Sequence, residues 1–143
     1  MTASDRSARL VGGAFVAAGV AHFTRPDFFE AIVPRWFPDA RLANRGSGAA
    51  EIALGLGMFP RRTRRLSARG LLLLLGGVFP ANVDMYLHDV DLDRDADGRI
   101  TRVEDAPGVR GRNLARLPVQ LLLAWAVARH SRGAAPVGES LPA

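Results

Sequence analysis

Between Gly70 and Glu104 the chain passes without a break from a run suited to an apolar medium into one suited to water and cations. The run Gly70-Leu-Leu-Leu-Leu-Leu-Gly-Gly-Val-Phe-Pro-Ala-Asn-Val-Asp-Met-Tyr-Leu87 holds no charge before Asp84. Its apolar residues follow neither the helical nor the strand period, so no face is polar. Such a segment is a membrane span or a fully buried helix.

The water-suited half begins at Asp93 and carries Asp93, Asp95, Asp97, Gly98, Arg99, Thr101 and Glu104. Calcium takes about six to eight oxygens, so carboxylates at alternate positions, then a backbone carbonyl, then a hydroxyl and a bidentate Glu can wrap one ion. Asp93, Asp95 and Asp97 would supply the first three ligands, the Arg99 carbonyl the next, and Thr101 and Glu104 the last two. Gly98 takes the sharp turn. Residues 93–104 thus resemble the calcium loop of the EF-hand at every ligand position, and that resemblance implies bound Ca2+. Asp105 stands where an exit helix would begin with an apolar residue, and Pro107-Gly108 stops any helix within a turn. The expectation is a calcium loop without a complete second helix; a solvated acidic linker is the plainer alternative.

The length of 143 residues suits one domain, and residues 133–143, rich in Gly, Pro and Ala, read as a disordered tail. Mean hydropathy is only +0.07 because charges are bunched between apolar runs rather than spread along them. Cysteine is absent, which excludes disulfides, thiolate metal sites and thiol redox chemistry. All 19 basic residues are Arg, giving a net charge of +5. These sit at the ends of apolar runs and not on one water-facing surface, so the charge does not point to nucleic acid.

Four apolar runs are expected to span a membrane: 8–23, 42–60, 70–87 and 113–129. Each is short for a hydrocarbon core of about 30 Å, but Arg residues at the ends can snorkel to make up the difference. Arg6 and Arg9 before the first run also suit a cleaved signal peptide, with Gly19-Val20-Ala21 as the cleavage site. Cleavage would leave an odd number of spans, so a retained first helix is expected. Residues 24–38 mix Phe28, Phe29, Trp36 and Phe37 with charges and prolines, as in an amphipathic segment lying in the membrane interface. In the second run Gly46, Gly48, Ala49, Ala50, Ala53, Gly55 and Gly57 permit close helix approach. Arg61 to Arg69 reads as a short basic loop, which places it and both termini in the cytoplasm and residues 24–41 and 88–112 outside. The expected fold is therefore all-α, a four-helix transmembrane bundle forming one domain over residues 1–132, with an extracytoplasmic calcium loop between helices three and four.

Ala18-Gly19-Val20-Ala21-His22-Phe23 with Pro26, Ile32-Val33-Pro34, Gly48-Ala49-Ala50-Glu51 with Gly55, Phe79-Pro80-Ala81-Asn82 and Arg116-Leu117-Pro118-Val119-Gln120 recur in an order and spacing that resembles the DoxX-like family. Family resemblance implies a small four-helix protein of the bacterial inner membrane. Some relatives are associated with quinone-linked sulfur oxidation or oxidative-stress complexes, so a quinone is an implied cofactor and a protein partner in a membrane complex an implied neighbour. It implies no catalytic residues.

In the expected up-down-up-down arrangement His22, Glu51, Asn82, Asp84, Arg116 and Gln120 all fall in the outer part of the bilayer. Ionisable groups in spans are costly and pair with one another. A polar cluster between the helices is therefore expected, with Arg116 facing Glu51 or Asp84, as an ion-pair network or as a site for a quinone or lipid headgroup. The sequence offers no self-sufficient catalytic constellation, so the chain reads as an accessory or redox-complex subunit. A calcium-stabilised docking or scaffold protein is the first alternative, and a small-molecule or lipid transporter the second.

Overall fold

A computed structural model describes residues 2–132. Within them the chain is mostly helical, in the order α1 (Ala3–Thr24), α2 (Pro26–Ile32), α3 (Ala40–Gly57), α4 (Arg61–Leu87), β1 (Asp91–Arg94), β2 (Ile100–Val103) and α5 (Arg110–Ser131). The tail at 133–143 lies outside the described residues.

Local chemistry sets most of the boundaries. Thr2 caps α1 by accepting from the Asp5 N–H at 3.2 Å, while the Asp5 carboxylate accepts from the Thr2 N–H at 3.1 Å. This reciprocal capping box satisfies two otherwise orphaned donors. Arg25 leaves the helical region because Pro26 follows it, and Pro26 then opens α2 where its missing N–H costs nothing. Val33, ahead of Pro34, ends α2 in an extended conformation. Asp39 caps α3 through the Leu42 N–H at 2.9 Å.

The basic segment Arg61–Arg69 is not a loop. It forms the first turns of α4, which starts directly after Pro60, and the connection from α3 shrinks to Met58–Pro60. Arg is a good helix former, and Asp5 on α1 holds two of these residues. Arg61 Nε donates to Asp5 Oδ1 at 3.0 Å, and Arg64 Nη1 donates to the same oxygen at 3.0 Å. Arg61 first, then the Thr2 N–H and Arg64, hold the Asp5 carboxyl well below the usual carboxylate range.

Helices α1 and α3 pack through glycines. A methyl on Gly12 would come within 2.6 Å of the Gly55 carbonyl oxygen, and one on Gly19 within 2.7 Å of the Gly48 oxygen. The antiparallel pairs 12–55 and 19–48 thus let two backbones touch, a mode typical where lipid leaves no hydrophobic drive for association. Gly46, also expected to allow such contact, faces open space.

The buried core is small and lies toward the Asp5 end: Ala8, Phe15, Met58, Ala68, Leu71, Leu75 and Val127. By contrast, Leu10, Leu66, Leu73, Leu121, Leu122 and Trp125 are each more than 60 % exposed. Among the described residues one helix, α4, is long and apolar enough to cross a membrane. Charges enter the others: Asp5, Arg6 and Arg9 in α1, Arg41, Arg45 and Glu51 in α3, and Arg110, Arg112, Arg116 and Arg129 in α5.

At the opposite end, β1 and β2 form an antiparallel hairpin with Asp93 opposite Thr101 and Arg94 opposite Ile100. Residues 93–104 therefore hold the turn 95–99 between two paired strands, and β1 rather than a helix leads into them. Gly98 makes the turn at φ +79°, where lack of a Cβ removes the strain. Buried Asn113 pins the hairpin base to α5, its Nδ2 donating to the carbonyls of Met85 at 2.9 Å and Val90 at 2.8 Å.

Candidate functional site

The core at one end leaves the other half of the bundle less filled. An apolar cavity of about 470 Å³ lies there, walled by α3, α4, α2 and the segment after α2. Phe29, Trp36 and Phe37 supply aromatic surface, and His22, Asn44, Ser47, Glu51 and Asn82 supply the polar groups. Three of the six expected polar residues thus meet at one cavity, and the other three do not line it.

His22 is the best fixed of these groups. Its ring stacks on Phe29 at 3.8 Å between centroids. Asn44 Nδ2 donates to the His22 carbonyl at 3.1 Å, which turns Asn44 Oδ1 toward His22 Nδ1 at 2.7 Å. An amide oxygen can only accept, so Nδ1 carries the proton. His22 Nε2 then faces Glu51 Oε2 at 3.5 Å. That oxygen is buried without a hydrogen-bond partner. No hydrogen bond closes this 3.5 Å gap, so each atom is left to a third group, accepting when bare and donating when protonated. The pair can offer a hydrogen bond to a third group in the cavity and can also accept one.

The remaining expected residues form separate links. Asn82 Nδ2 donates to Gln120 Oε1, and Gln120 Nε2 donates at 2.7 Å to the Leu75 carbonyl in α4, which Pro80 interrupts. Arg116 faces neither Glu51 nor Asp84, and its Nη1 lies 3.1 Å from the Met85 sulfur. Asp84 takes Arg102 of β2 instead, with His88 Nδ1 3.2 Å away. The hairpin, read from sequence as a calcium loop between helices three and four, folds back and supplies that cation. A single cluster of six is therefore replaced by three links: His22–Glu51, Asn82–Gln120 and Asp84–Arg102.

The expected calcium ligands are arranged as follows. Asp95 Oδ1 accepts from the N–H groups of Asp97 and Arg99 at 3.0 and 2.9 Å. The Arg99 carbonyl accepts from the Asp95 N–H at 2.9 Å, and Thr101 Oγ1 donates to the Asp93 carbonyl at 3.3 Å. Asp93 Oδ1 accepts from the adjacent Arg94 N–H. Glu104 lies between Arg102 at 2.9 Å and Arg35 at 3.2 Å. Among the described residues no three His, Cys, Asp or Glu side chains are drawn together as a metal-holding group.

The hairpin also closes over α2. The Ile100 N–H donates to Asp27 Oδ2 at 3.1 Å, and this bond above all holds the Asp27 carboxyl below its ordinary range. Sequence reading misses Asn44 and Asn113. Asn44 had a signal, since it stands seven residues before Glu51 and so on the same helix face.

No curated protein and no solved structure matches the chain. One family model does match, over residues 11–130, from the first turns of α1 almost to the end of α5. Because that span includes every long helix and the hairpin, the chain belongs to the family described as Domain of unknown function (DUF8561).

Proposed function

We propose that the protein is a DoxX-like, multi-pass membrane subunit that holds a quinone headgroup in the 470 Å³ cavity, as an accessory part of a redox complex. In this reading α1, α3, α4 and α5 cross the bilayer, both termini are cytoplasmic and the hairpin is outside. Large apolar side chains turned outward on several helices support the membrane placement, since contiguous exposed apolar surface marks a membrane or partner interface. Backbone contact through glycines supports it as well.

The single observation that carries the ligand is the buried, unpartnered Glu51 Oε2 beside His22 Nε2 in a mostly apolar cavity. Buried polar atoms without partners are uncommon and costly. A quinone fits the gap: its ring suits Phe29, Trp36 and Phe37, and its carbonyl oxygen accepts a hydrogen bond from whichever of His22 Nε2 and Glu51 carries a proton. When bound, the quinone supplies electron-carrying chemistry, while the chain's own part is to orient the ring and keep a proton next to its oxygen.

Trp36 lines the cavity and provides the readout. In a Trp125→Phe background, a decyl-substituted benzoquinone titrated into detergent-solubilised protein should quench Trp36 emission to saturation. Glu51→Gln should weaken that binding about tenfold, the value of roughly one hydrogen bond. Linear, non-saturating quenching in both proteins sinks the reading.

A second reading concerns the hairpin turn, which we propose binds calcium weakly and so stabilises the outer surface for docking a partner. The feature that favours it is the turn itself, in which Asp95 Oδ1 accepts two N–H bonds and Gly98 stands at positive φ at the position where the calcium-loop spacing calls for a sharp turn. A dissociation constant on the order of 10⁻⁴ to 10⁻³ M is expected. Calorimetry decides it: equal heats from the parent and an Asp93→Ala, Glu104→Ala variant leave only an acidic hairpin.

A further inference from the structure

A second cavity, of about 610 Å³, lies between the hairpin, α2 and the first turns of α3. His22 and Asn44 line both cavities, so the two share a wall. Their chemistry differs sharply. The second is lined by Arg41 and Arg45, one turn apart on α3, by Arg99 at the hairpin turn and by Arg102 on β2.

These cations are unevenly used. Among the described residues Arg41, Arg45 and Arg99 form no ion pair. Arg102 holds Asp84 and Glu104, yet its Nη1 is buried without a hydrogen-bond partner, on a side chain only 8 % exposed. Of the acids on the same walls, Asp27 is tied to the Ile100 N–H and Asp95 to the turn it caps. Glu30 also lines the cavity and has no cation partner among the described residues. The cavity thus presents several spare guanidinium groups; Asp27, Asp95 and Glu30 all lack a cation partner among the described residues, and of the three Glu30 is the one whose carboxylate no backbone N–H engages.

We infer that this cavity takes the headgroup of a phospholipid bearing a primary amine, the ethanolamine class. Phosphate oxygens lie against the guanidinium groups of Arg41, Arg45 and Arg99, whose planar forks match them. The ammonium group lies against Glu30. A free phosphate, with its charge close to two, would use the arginines but be repelled by Glu30. The zwitterion uses both signs. The inference rests on the membrane reading above, because only then does the hairpin end lie at headgroup depth.

Native mass spectrometry of the full chain released from non-ionic detergent tests it, with phosphatidylethanolamine, phosphatidylglycerol, phosphatidylcholine and inorganic phosphate as probes. The ethanolamine lipid should bind at least fivefold more tightly than the glycerol lipid, and more tightly than the choline lipid, whose quaternary nitrogen donates no hydrogen bond. Glu30→Gln should erase the preference for ethanolamine over glycerol. Arg41→Gln and Arg99→Gln, at exposed positions that anchor no other element, should weaken both lipids about tenfold. Equal binding of ethanolamine and glycerol lipids by the parent, or a preference that survives in Glu30→Gln, overturns the inference. Inorganic phosphate binding that matches the lipids would make it a free-anion site and overturn it too. Incorporation into bilayer nanodiscs separates the two levels: a protein that incorporates but shows no headgroup preference sinks this site alone. A protein that stays monodisperse without detergent and does not incorporate sinks the membrane reading.

Discussion

Gly19 of α1 lies against the carbonyl of Gly48 on α3 so closely that a methyl group there would stand 2.7 Å from the oxygen and 2.7 Å from Ile52 Cγ1. Two backbones meet with nothing between them. Gly13, on another face of α1, has no neighbour within 4 Å of the same construction. Gly19→Ala should therefore lower stability by about 1–3 kcal/mol, the usual cost of overpacking, while Gly13→Ala should be neutral or slightly stabilising through helix propensity. Thermal unfolding of both variants in one detergent checks this, and equal midpoints would show that the α1–α3 contact is looser than its geometry.

Asp5 gives the fold an acid-sensitive joint. Its folded-state carboxyl is held below the unfolded value by Arg61, the Thr2 N–H and Arg64, so its stabilising contribution is fully present above the unfolded value of about 3.9 and is lost as pH falls from there toward the folded one. The melting temperature of Asp5→Asn should lie below that of the parent at pH 7. That gap should narrow below about pH 4. A gap that stays constant down to pH 3 would assign the loss to packing and not to the carboxylate.

Asn113 is fully buried and its amide serves two carbonyls on another part of the chain. Asn113→Ala leaves both carbonyls unsatisfied, at a cost of about 1–3 kcal/mol each at most. The damage should be local. Hydrogen exchange of the amides in residues 91–103 should speed up by about tenfold or more, while those in α1 and α3 stay within about twofold. Uniform acceleration across the chain would mean that the hairpin is not a separate cooperative unit.

Orientation in the membrane is open to a direct check. On the reading proposed above, a reporter fused after Arg65 is cytoplasmic and one fused after Asp97 is outside. Arg61, Arg62, Arg64, Arg65 and Arg69 make the densest run of arginine in the chain, in the first turns of α4 directly after the short α3–α4 connection at the Asp5 end. Short segments dense in arginine are what membrane insertion retains inside. An Arg65 fusion that reports from outside reverses the arrangement.

The helices were legible where the sequence punctuates them locally: Pro26, Pro34 and Pro60 each stand at a boundary, and each acts on its immediate neighbours. Where the deciding partner is distant, the same reading fails. Arg61 to Arg69 looks like a loop because nothing nearby balances its charge, yet Asp5 does so from 56 residues away. Asp84 draws a cation from Arg102, beyond a strand that the calcium-loop pattern concealed. That hairpin had its own signal, Asp97-Gly98 between two segments that can pair, but the spacing of acids suited two structures and only the pairing with α2 and α4 separates them. The cavity itself was visible only as three polar residues at similar depth, since its shape depends on α2 folding across the gap.

The placement of the buried core has one more consequence. Met58, Leu71 and Val127 tie the helices together at the Asp5 end, while at the far end α2 and the segment after it are held over the cavity by the Phe29–His22 stack and by two polar links to the hairpin, Ile100 to Asp27 and Glu104 to Arg35. Such a bundle behaves as a clasp, with a hinge that water cannot reach and a catch that it can. Undoing the catch costs one aromatic stack and polar contacts that water replaces, and leaves the apolar hinge untouched.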